Sequence, residues 1–168
     1  MGHPHDQESD SRGRPPDDGA RRLVETKSVP ETHMYYRQVR FSDIDAHGHV
    51  NNVRFLEYLE DAWIALYLDN TAVPPEDRDG VPTVGFAIVR HEIRYRRPLR
   101  FRHGSVRVES WVTRMNRVTC EMAAQICSDG EVFVEARSMI MGFDARTARP
   151  RRFTVHERAF LTRYLRPW

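Results

Sequence analysis

The stretch that decides the fold is residues 41–68, which read FSDIDAHGHVNNVRFLEYLEDAWIALYL. Its second half is apolar at three- and four-residue spacing, as in an amphipathic helix. We expect this helix to run from about Asn52 to Leu68. The Pro74-Pro75 pair then keeps it from continuing much beyond Asn70. The periodic apolar positions are Phe55, Leu56, Leu59, Ala62, Trp63 and Leu66.

Strand signals lie before and after this helix. Tyr35, Val39 and Phe41 alternate with polar neighbours and predict a first strand. Beyond Gly80 the apolar alternation changes parity after Ile88, which predicts a bulge in one long strand. Three further strands are predicted from alternation at residues 106–112, 118–126 and 132–140.

Two local motifs mark the later boundaries. Asp129-Gly130 is a strong hairpin turn, and Thr154 with Glu157 predicts a capping box for a closing helix over residues 154–164. The order of one strand, one long helix and a meander of four strands favours an α+β layer, with the helix against one face of an antiparallel sheet. We expect a second copy to cover the other face, because the strands are too apolar for water.

The start of the chain differs in composition from the rest. Residues 1–30 are rich in Asp, Arg, Gly, Pro and Ser, which predicts a disordered tail over residues 1–33 and a single domain over 34–168. There is no apolar signal segment and no run of roughly 18 apolar residues, so no membrane span is expected. Cys120 and Cys127 fall on opposite faces of one predicted strand, which argues against a disulfide and favours the cytoplasm.

Arginine dominates the basic residues: Lys27 is the only lysine among 26, and the net charge is +2. We attribute the total to a GC-rich genome, with phosphate binding as the reason at a few positions. The segment from Arg146 to Arg166 is basic but lacks interleaved stacking residues, so nucleic-acid binding is not expected.

The loop before the helix carries the candidate chemistry. Asp43 and Asp45 end a strand, Gly48 permits a tight turn, and Asn51 is a good N-cap. The first amides of the helix have no internal partner and can hold an oxyanion. A carboxylate beside them suits acyl transfer, although such a loop taken alone more often only caps a turn.

Residues 41–62 resemble the first motif of the 4-hydroxybenzoyl-CoA thioesterase-like family, in the branch that shares D-x-D-x-x-x-H-V-N-N with acyl-ACP thioesterases. Residues 90–99 and Phe143-Asp144 are similar to later segments of that family, so the resemblance covers about residues 35–162. It implies a hotdog fold, in which a curved antiparallel sheet of five or more strands wraps around one long central helix. It also implies a homodimer, often paired into a tetramer.

The same resemblance assigns roles in the loop. Asp45 matches the catalytic carboxylate, as nucleophile or general base, and Asn52 matches the position whose backbone amide is the oxyanion donor. Related enzymes have a catalytic histidine at position 52, and asparagine cannot act as a base, so Asp45 is expected to carry more of the acid–base work. Supporting roles in the loop are expected for Asp43, Gly48, His49 and Asn51.

Three further residues complete the predicted site. Glu60 lies at the edge of the helix's apolar face and matches an acidic residue near the acyl group, either as a pocket carboxylate or as a solvated flank residue. Arg114 and Arg117 match positions that present basic residues to CoA phosphates, with Arg94, Arg96 and Arg97 as second choices. His47 and His49 lack a second ligand pair, so no metal is expected.

The function implied is hydrolysis of an acyl-CoA thioester to free acid and CoA, without metal or redox cofactor. Hydrolysis of an acyl-carrier-protein thioester is the alternative within the same chemistry. A non-catalytic acyl-CoA-binding protein on the same fold is the alternative outside it.

Overall fold

A computed structural model describes residues 1–2, 30–71 and 84–166. Most of the predicted tail, residues 3–29, and the Pro74-Pro75 pair lie outside the described residues. The strands are β1 (His33–Gln38), β2 (Val84–Tyr95), β3 (Ser105–Met115), β4 (Thr119–Ser128), β5 (Glu131–Asp144) and β6 (Arg149–Pro150). The helices are α1 (Asn52–Asn70) and α2 (Val155–Arg163), and short 3-10 turns occur at Phe41–Asp43 and Phe101–His103.

All strands form one antiparallel sheet in the order β1-β3-β4-β5-β2, and β6 pairs with the end of β5. The sheet curves around α1, which confirms the predicted α+β architecture. Within the described chain, β2 is an edge strand with only β5 beside it. One side of its backbone therefore carries unpaired hydrogen-bonding groups.

Helix α1 forms where the apolar periodicity predicts it. Asn51 caps it by accepting a 3.1 Å hydrogen bond from the Val53 amide. Its buried face divides the core in two. The first half packs with Val108, Ile126 and Phe133, and the second half packs with Val112, Ile140 and α2 residues such as Phe160. The buried residues of α1 are Phe55, Tyr58, Leu59, Ala62, Trp63 and Leu66.

The predicted bulge in β2 is confirmed. Ile88 pairs with Ile140 and Arg90 pairs with Met139, so Val89 has no opposite residue on β5. The extra residue reverses the parity of the strand, so that Phe86 before it and Tyr95 after it both contact α1.

The turn and cap predictions are also confirmed. Asp129 and Gly130 both have positive φ angles, 50° and 77°, as a two-residue hairpin turn of this kind requires. Thr154 accepts from the Glu157 amide at 3.1 Å, and the Glu157 carboxylate accepts from the Thr154 amide at 2.7 Å.

Cys120 and Cys127 are buried free thiols. Among the described helices, none is long and apolar enough to cross a membrane.

One expectation about the sheet is wrong. The first strand does not extend to Phe41, because the Arg40 amide donates to the Asp43 carboxylate at 2.8 Å and the chain turns there. Phe41 is 81% exposed, and its ring lies edge-on to that of Phe101 with the centroids 6.1 Å apart.

The face of the sheet away from α1 mixes charged and apolar residues. Cross-strand neighbours there include Glu92 with Arg137 and Arg94 with Glu135. The row through Arg137 continues with Ala123 of β4 and Trp111 of β3. The expected covering of this face by a second copy stays a prediction.

Candidate active site

The loop between β1 and α1 is a tight backbone turn that projects Asp45. Its ends are held by a bridge between Ile44 and Val50. The Asp45 amide donates to the His49 carbonyl at 2.8 Å, and the Gly48 amide donates to the Asp45 carbonyl at 3.0 Å. Gly48 has a φ of +76°, a backbone conformation that is strained for most residues with a side chain, so glycine is favoured at this position.

The Asp45 carboxylate is held by the same turn. Its Oδ1 accepts hydrogen bonds from the backbone amides of His47, at 2.8 Å, and of His49, at 3.3 Å. Partial desolvation raises the pKa of Asp45, but the two amide donors outweigh it and the pKa lies below its usual value. Asp45 is therefore ionised at neutral pH, while Oδ2 is free of these two donors.

Asp43 is buried directly behind this turn, with 3% of its surface exposed. Its Oδ2 accepts from the Arg40 amide at 2.8 Å and from the Tyr58 hydroxyl at 2.7 Å. Its carbonyl accepts from the Asn51 amide at 2.8 Å. Arg54 lies 3.8 Å from the other carboxylate oxygen. Asp43 thus links the start of the loop at Arg40 to its end at Asn51. Its supporting role in catalysis stays a prediction.

Tyr58 was not among the predicted site residues. It lies on the apolar stripe of α1 and is completely buried. A buried tyrosine needs a partner for its hydroxyl. A tyrosine within the stripe, shortly after a loop with two aspartates, was therefore the signal in the sequence.

Asp45, His49 and Asn52 line one depression of about 260 Å³. Phe55 and Leu99 form part of its apolar wall, and Tyr95 reaches over it from the edge strand. The other lining residues are Val50, Arg96, Arg97 and Pro98. The structure therefore brings the predicted carboxylate and the start of the helix to the same surface.

The backbone amide of Asn52 is a donor of the first helical turn that no described residue accepts from. The Val53 amide donates to the Asn51 side chain, and the Arg54 amide donates to the Asn51 carbonyl at 2.9 Å. Within the described residues, the Asn52 amide has no acceptor. It also lies at the positive end of the α1 dipole. Such a donor can stabilise negative charge on an oxygen bound in the depression.

The remaining predicted residues lie elsewhere. Glu60 is exposed and does not line the Asp45 depression. The Glu60 carboxylate acts electrostatically on His91 of β2. Burial lowers the pKa of His91, and the charge of Glu60 raises it by a smaller amount. The pocket role of Glu60 stays a prediction.

Arg114 and Arg117 are exposed, and neither lines the Asp45 depression. Arg96 and Arg97, the second choices, do line it, and they pair with Glu135 and Glu131 respectively. The CoA-binding roles of Arg114 and Arg117 stay predictions. Among the described residues, no cluster of three or more His, Cys, Asp or Glu side chains could hold a metal ion.

Solved structures share the fold over nearly their whole length. A predicted thioesterase from Bacillus stearothermophilus is 20% identical, with a TM-score of 0.69, and the match covers 82% of this chain and 98% of that one. A 1,4-dihydroxy-2-naphthoyl-CoA thioesterase from Synechocystis is 15% identical, with a TM-score of 0.67, covering 79% and 96%. A Staphylococcus aureus protein in complex with CoA is 14% identical, with a TM-score of 0.69, covering 81% and 85%.

These matches show the hotdog fold. Because the sequence identities are low, they show the fold alone. No curated protein sequence matches the chain significantly. The model of the thioesterase-like superfamily matches residues 39–160, which include the Asp45 loop, all of α1 and the meander. The chain therefore belongs to the thioesterase-like superfamily.

Proposed function

We propose that this protein hydrolyses an acyl-CoA thioester to a free acid and CoA, with Asp45 as the reacting carboxylate. The observation that carries the proposal is the pairing of two groups at one depression. The ionised Asp45 carboxylate and the free Asn52 amide line the same surface, beside the apolar Phe55. Membership of the thioesterase-like superfamily supports the reaction type.

Two routes fit this arrangement. In the first, an Asp45 oxygen attacks the thioester carbonyl, CoA leaves as the thiolate and takes a proton from water, and a second water hydrolyses the mixed anhydride. In the second, Asp45 removes a proton from a water that attacks the carbonyl directly, and the departing thiolate takes that proton. In both routes negative charge develops on the carbonyl oxygen, where the Asn52 amide can donate to it.

Two of the solved neighbours support CoA as the carrier of the acyl group. One of them acts on a CoA thioester by its name and another was solved with CoA bound. The resemblance to the 4-hydroxybenzoyl-CoA thioesterase-like family points the same way. An acyl carrier protein remains the alternative carrier, and comparing kcat/KM for one acyl group on both carriers distinguishes the two.

We also propose that the protein self-associates through the β2 edge. Val89 and Tyr95 of β2 are 49% and 46% exposed, and β2 has unpaired backbone groups along that edge. Ile64 of α1 is 46% exposed and lies one helical turn after Glu60. The charge of Glu60 raises the pKa of His91 on β2. An apolar stripe therefore borders the open edge, and light scattering is expected to give a dimer or a larger assembly.

The test of the reaction is Asp45→Asn against a matched control. We expect Asp45→Asn to lower the rate of free-thiol release from acyl-CoA by about a hundredfold or more, because the reacting carboxylate is lost. Asp129→Asn makes the same chemical change in an exposed turn where asparagine also tolerates the positive φ. The control is expected to keep the wild-type rate. Equal rates for Asp45→Asn and wild type would contradict the assignment.

Substrate class is measured with a panel of acyl-CoA thioesters that vary in chain length and aromatic character. Tight binding of these thioesters without any cleavage would favour the non-catalytic acyl-CoA-binding alternative.

A further inference from the structure

A second depression, of about 320 Å³, lies at the other end of α1 from Asp45. Three arginines, Arg117, Arg152 and Arg158, line it together with Phe153. They come from three segments: the β3–β4 turn, the link before α2, and α2 itself. Phe153 packs in the half of the core around Trp63 and Leu66 of α1, whereas Phe55, beside Asp45, belongs to the other half.

The backbone around the three arginines is fixed. The Arg117 carbonyl accepts from the Phe153 amide at 2.9 Å. Asn116 closes the β3–β4 turn by accepting from the Thr119 amide at 2.7 Å, and the Arg158 side chain donates to the Asn116 carbonyl at 3.1 Å. Phe153, 5% exposed, anchors the link in the core. The fold thus fixes the backbone positions of three exposed arginines around one depression.

The charges of these three arginines have no ion-pair partner in the part of the chain that the structure describes. The nearest acid in sequence, Glu157, is fully engaged. Arg151 donates to both of its oxygens at 2.7 Å, and the Thr154 amide donates to one of them. Arg151 therefore engages the acid nearest to Arg158 in sequence, and Arg117, Arg152 and Arg158 remain without an ion pair among the described residues.

We propose that Arg117, Arg152 and Arg158 form a binding site for the phosphate groups of a small ligand. Guanidinium groups bind phosphate oxygens in pairs, and three of them around one concavity suit a diphosphate or a bisphosphate. Like charges gathered without a carboxylate repel each other, and a bound polyanion removes that repulsion. A nucleic acid is disfavoured, because the chain carries a net charge of only +2 and Phe153 is buried and offers no stacking face.

Two sources could supply these phosphates: the nucleotide end of a CoA thioester, or a separate phosphorylated ligand. The first source rests on the proposed function, and the second does not. The binding of phosphate groups is common to both and is measured without turnover.

The experiment is isothermal titration of the full-length protein with pyrophosphate and with adenosine 3′,5′-bisphosphate, using adenosine as the phosphate-free probe. We expect both phosphate probes to bind, adenosine to bind far more weakly, and Arg152→Ala and Arg158→Ala each to weaken binding about tenfold or more. Arg102→Ala is the matched control, because Arg102 is exposed and lines neither depression. Unchanged melting temperatures show that each variant remains folded.

The site is overturned if neither phosphate probe binds, or if Arg102→Ala weakens binding as much as Arg152→Ala. It is also overturned if a single-stranded oligonucleotide binds more tightly than the bisphosphate and depends on the same arginines.

A kinetic arm separates the two sources. If the nucleotide of the substrate occupies the site, Arg152→Ala raises KM for an acyl-CoA several-fold and leaves KM for the matching N-acetylcysteamine thioester unchanged. If KM for acyl-CoA is unchanged while pyrophosphate binding is lost, the site serves a separate phosphorylated ligand. Absence of all thioester cleavage would contradict the proposed function and leave the titrations as the test of the site.

Discussion

The Tyr58 hydroxyl donates a 2.7 Å hydrogen bond to Asp43 Oδ2 inside the core. Burial, with the hydrogen bond to the Asp43 carboxylate, raises the pKa of Tyr58 well above its usual value, so the hydroxyl keeps its proton. This bond joins the second turn of α1 to the loop residue two positions before Asp45. If Asp45 reacts as proposed, Tyr58 is a positioning residue for its carboxylate.

Tyr58→Phe is expected to lower kcat about tenfold and to change KM much less. The substitution leaves Asp43 buried without one of its donors, which also costs about 1–3 kcal/mol of folding stability. The loop can then move, which changes the position of the Asp45 carboxylate relative to the backbone amide of Asn52. Steady-state kinetics with a denaturation curve for the same sample measures both effects.

Tyr36→Phe is the control for this variant, because Tyr36 is 64% exposed on β1. It is expected to behave as wild type in both measurements. A Tyr58→Phe enzyme that loses stability but keeps its kcat would show that the bond is only structural.

The depressed pKa of Asp45 predicts the acid side of the pH profile. Because the amides of His47 and His49 favour the ionised form, the carboxylate protonates only below the usual aspartate value of about 3.9. Activity is lost as pH falls through the folded-state pKa. We therefore expect no acid limb in kcat/KM between about pH 5 and pH 7. A limb centred near pH 6 would assign the essential base to another group, such as a histidine.

The Arg151–Glu157 pair predicts a pH-dependent stability difference. Burial raises the pKa of Glu157, but the guanidinium of Arg151 and the Thr154 amide outweigh it, so the pKa lies below its usual value. We expect Glu157→Gln to cost about 3 kcal/mol at neutral pH, as for a broken buried pair. The stabilisation is present above the unfolded-state pKa of about 4.3 and is lost as pH falls through the lower folded-state value.

Urea denaturation at pH 7 and at pH 4 tests this expectation. The difference between wild type and Glu157→Gln is expected to shrink at the lower pH. Glu92→Gln removes a carboxylate from the exposed pair with Arg90 and is expected to cost less than 1 kcal/mol. Equal losses for the two variants would contradict the buried role of Glu157.

Gly142→Ala is expected to destabilise the protein by about 1–3 kcal/mol, because an added Cβ would lie 2.7 Å from the Arg151 carbonyl oxygen. That oxygen belongs to the backbone, which is itself held by a 2.8 Å bond from the Arg151 amide to the Gly142 carbonyl. Gly85→Ala is the control, since an added Cβ there meets no atom within 4 Å. Thermal unfolding of both variants checks the contrast, and equal melting temperatures would refute it.

Local patterns predicted the elements whose causes are local. The spacing from Phe55 to Leu66 predicted α1, the parity change after Ile88 predicted the bulge, and Thr154 predicted the start of α2. Each depends on residues within a few positions of one another, so the sequence displays the cause directly. The first-motif resemblance added Asp45 and Asn52, which the structure brings to one depression.

Features that depend on contacts between residues far apart in the sequence could not be predicted in this way. Phe41 looked like a strand residue, but the bond from the Arg40 amide to Asp43 turns the chain before it. Tyr58 was not singled out in the sequence, because only the fold places its hydroxyl against Asp43. Arg152 and Arg158 gather with Arg117 only because α2 folds back over the β3–β4 turn. Spacing in the sequence cannot report such three-dimensional neighbours.

The bulge at Val89 has a consequence for how copies of this protein can add to one another. An unbroken edge strand of 12 residues would be a template for open-ended sheet growth and aggregation. The bulge twists β2 and interrupts its regular hydrogen-bonding edge at Val89, so an incoming strand cannot follow the whole edge in one register. We therefore expect the irregularity to disfavour the open-ended addition of strands along this edge.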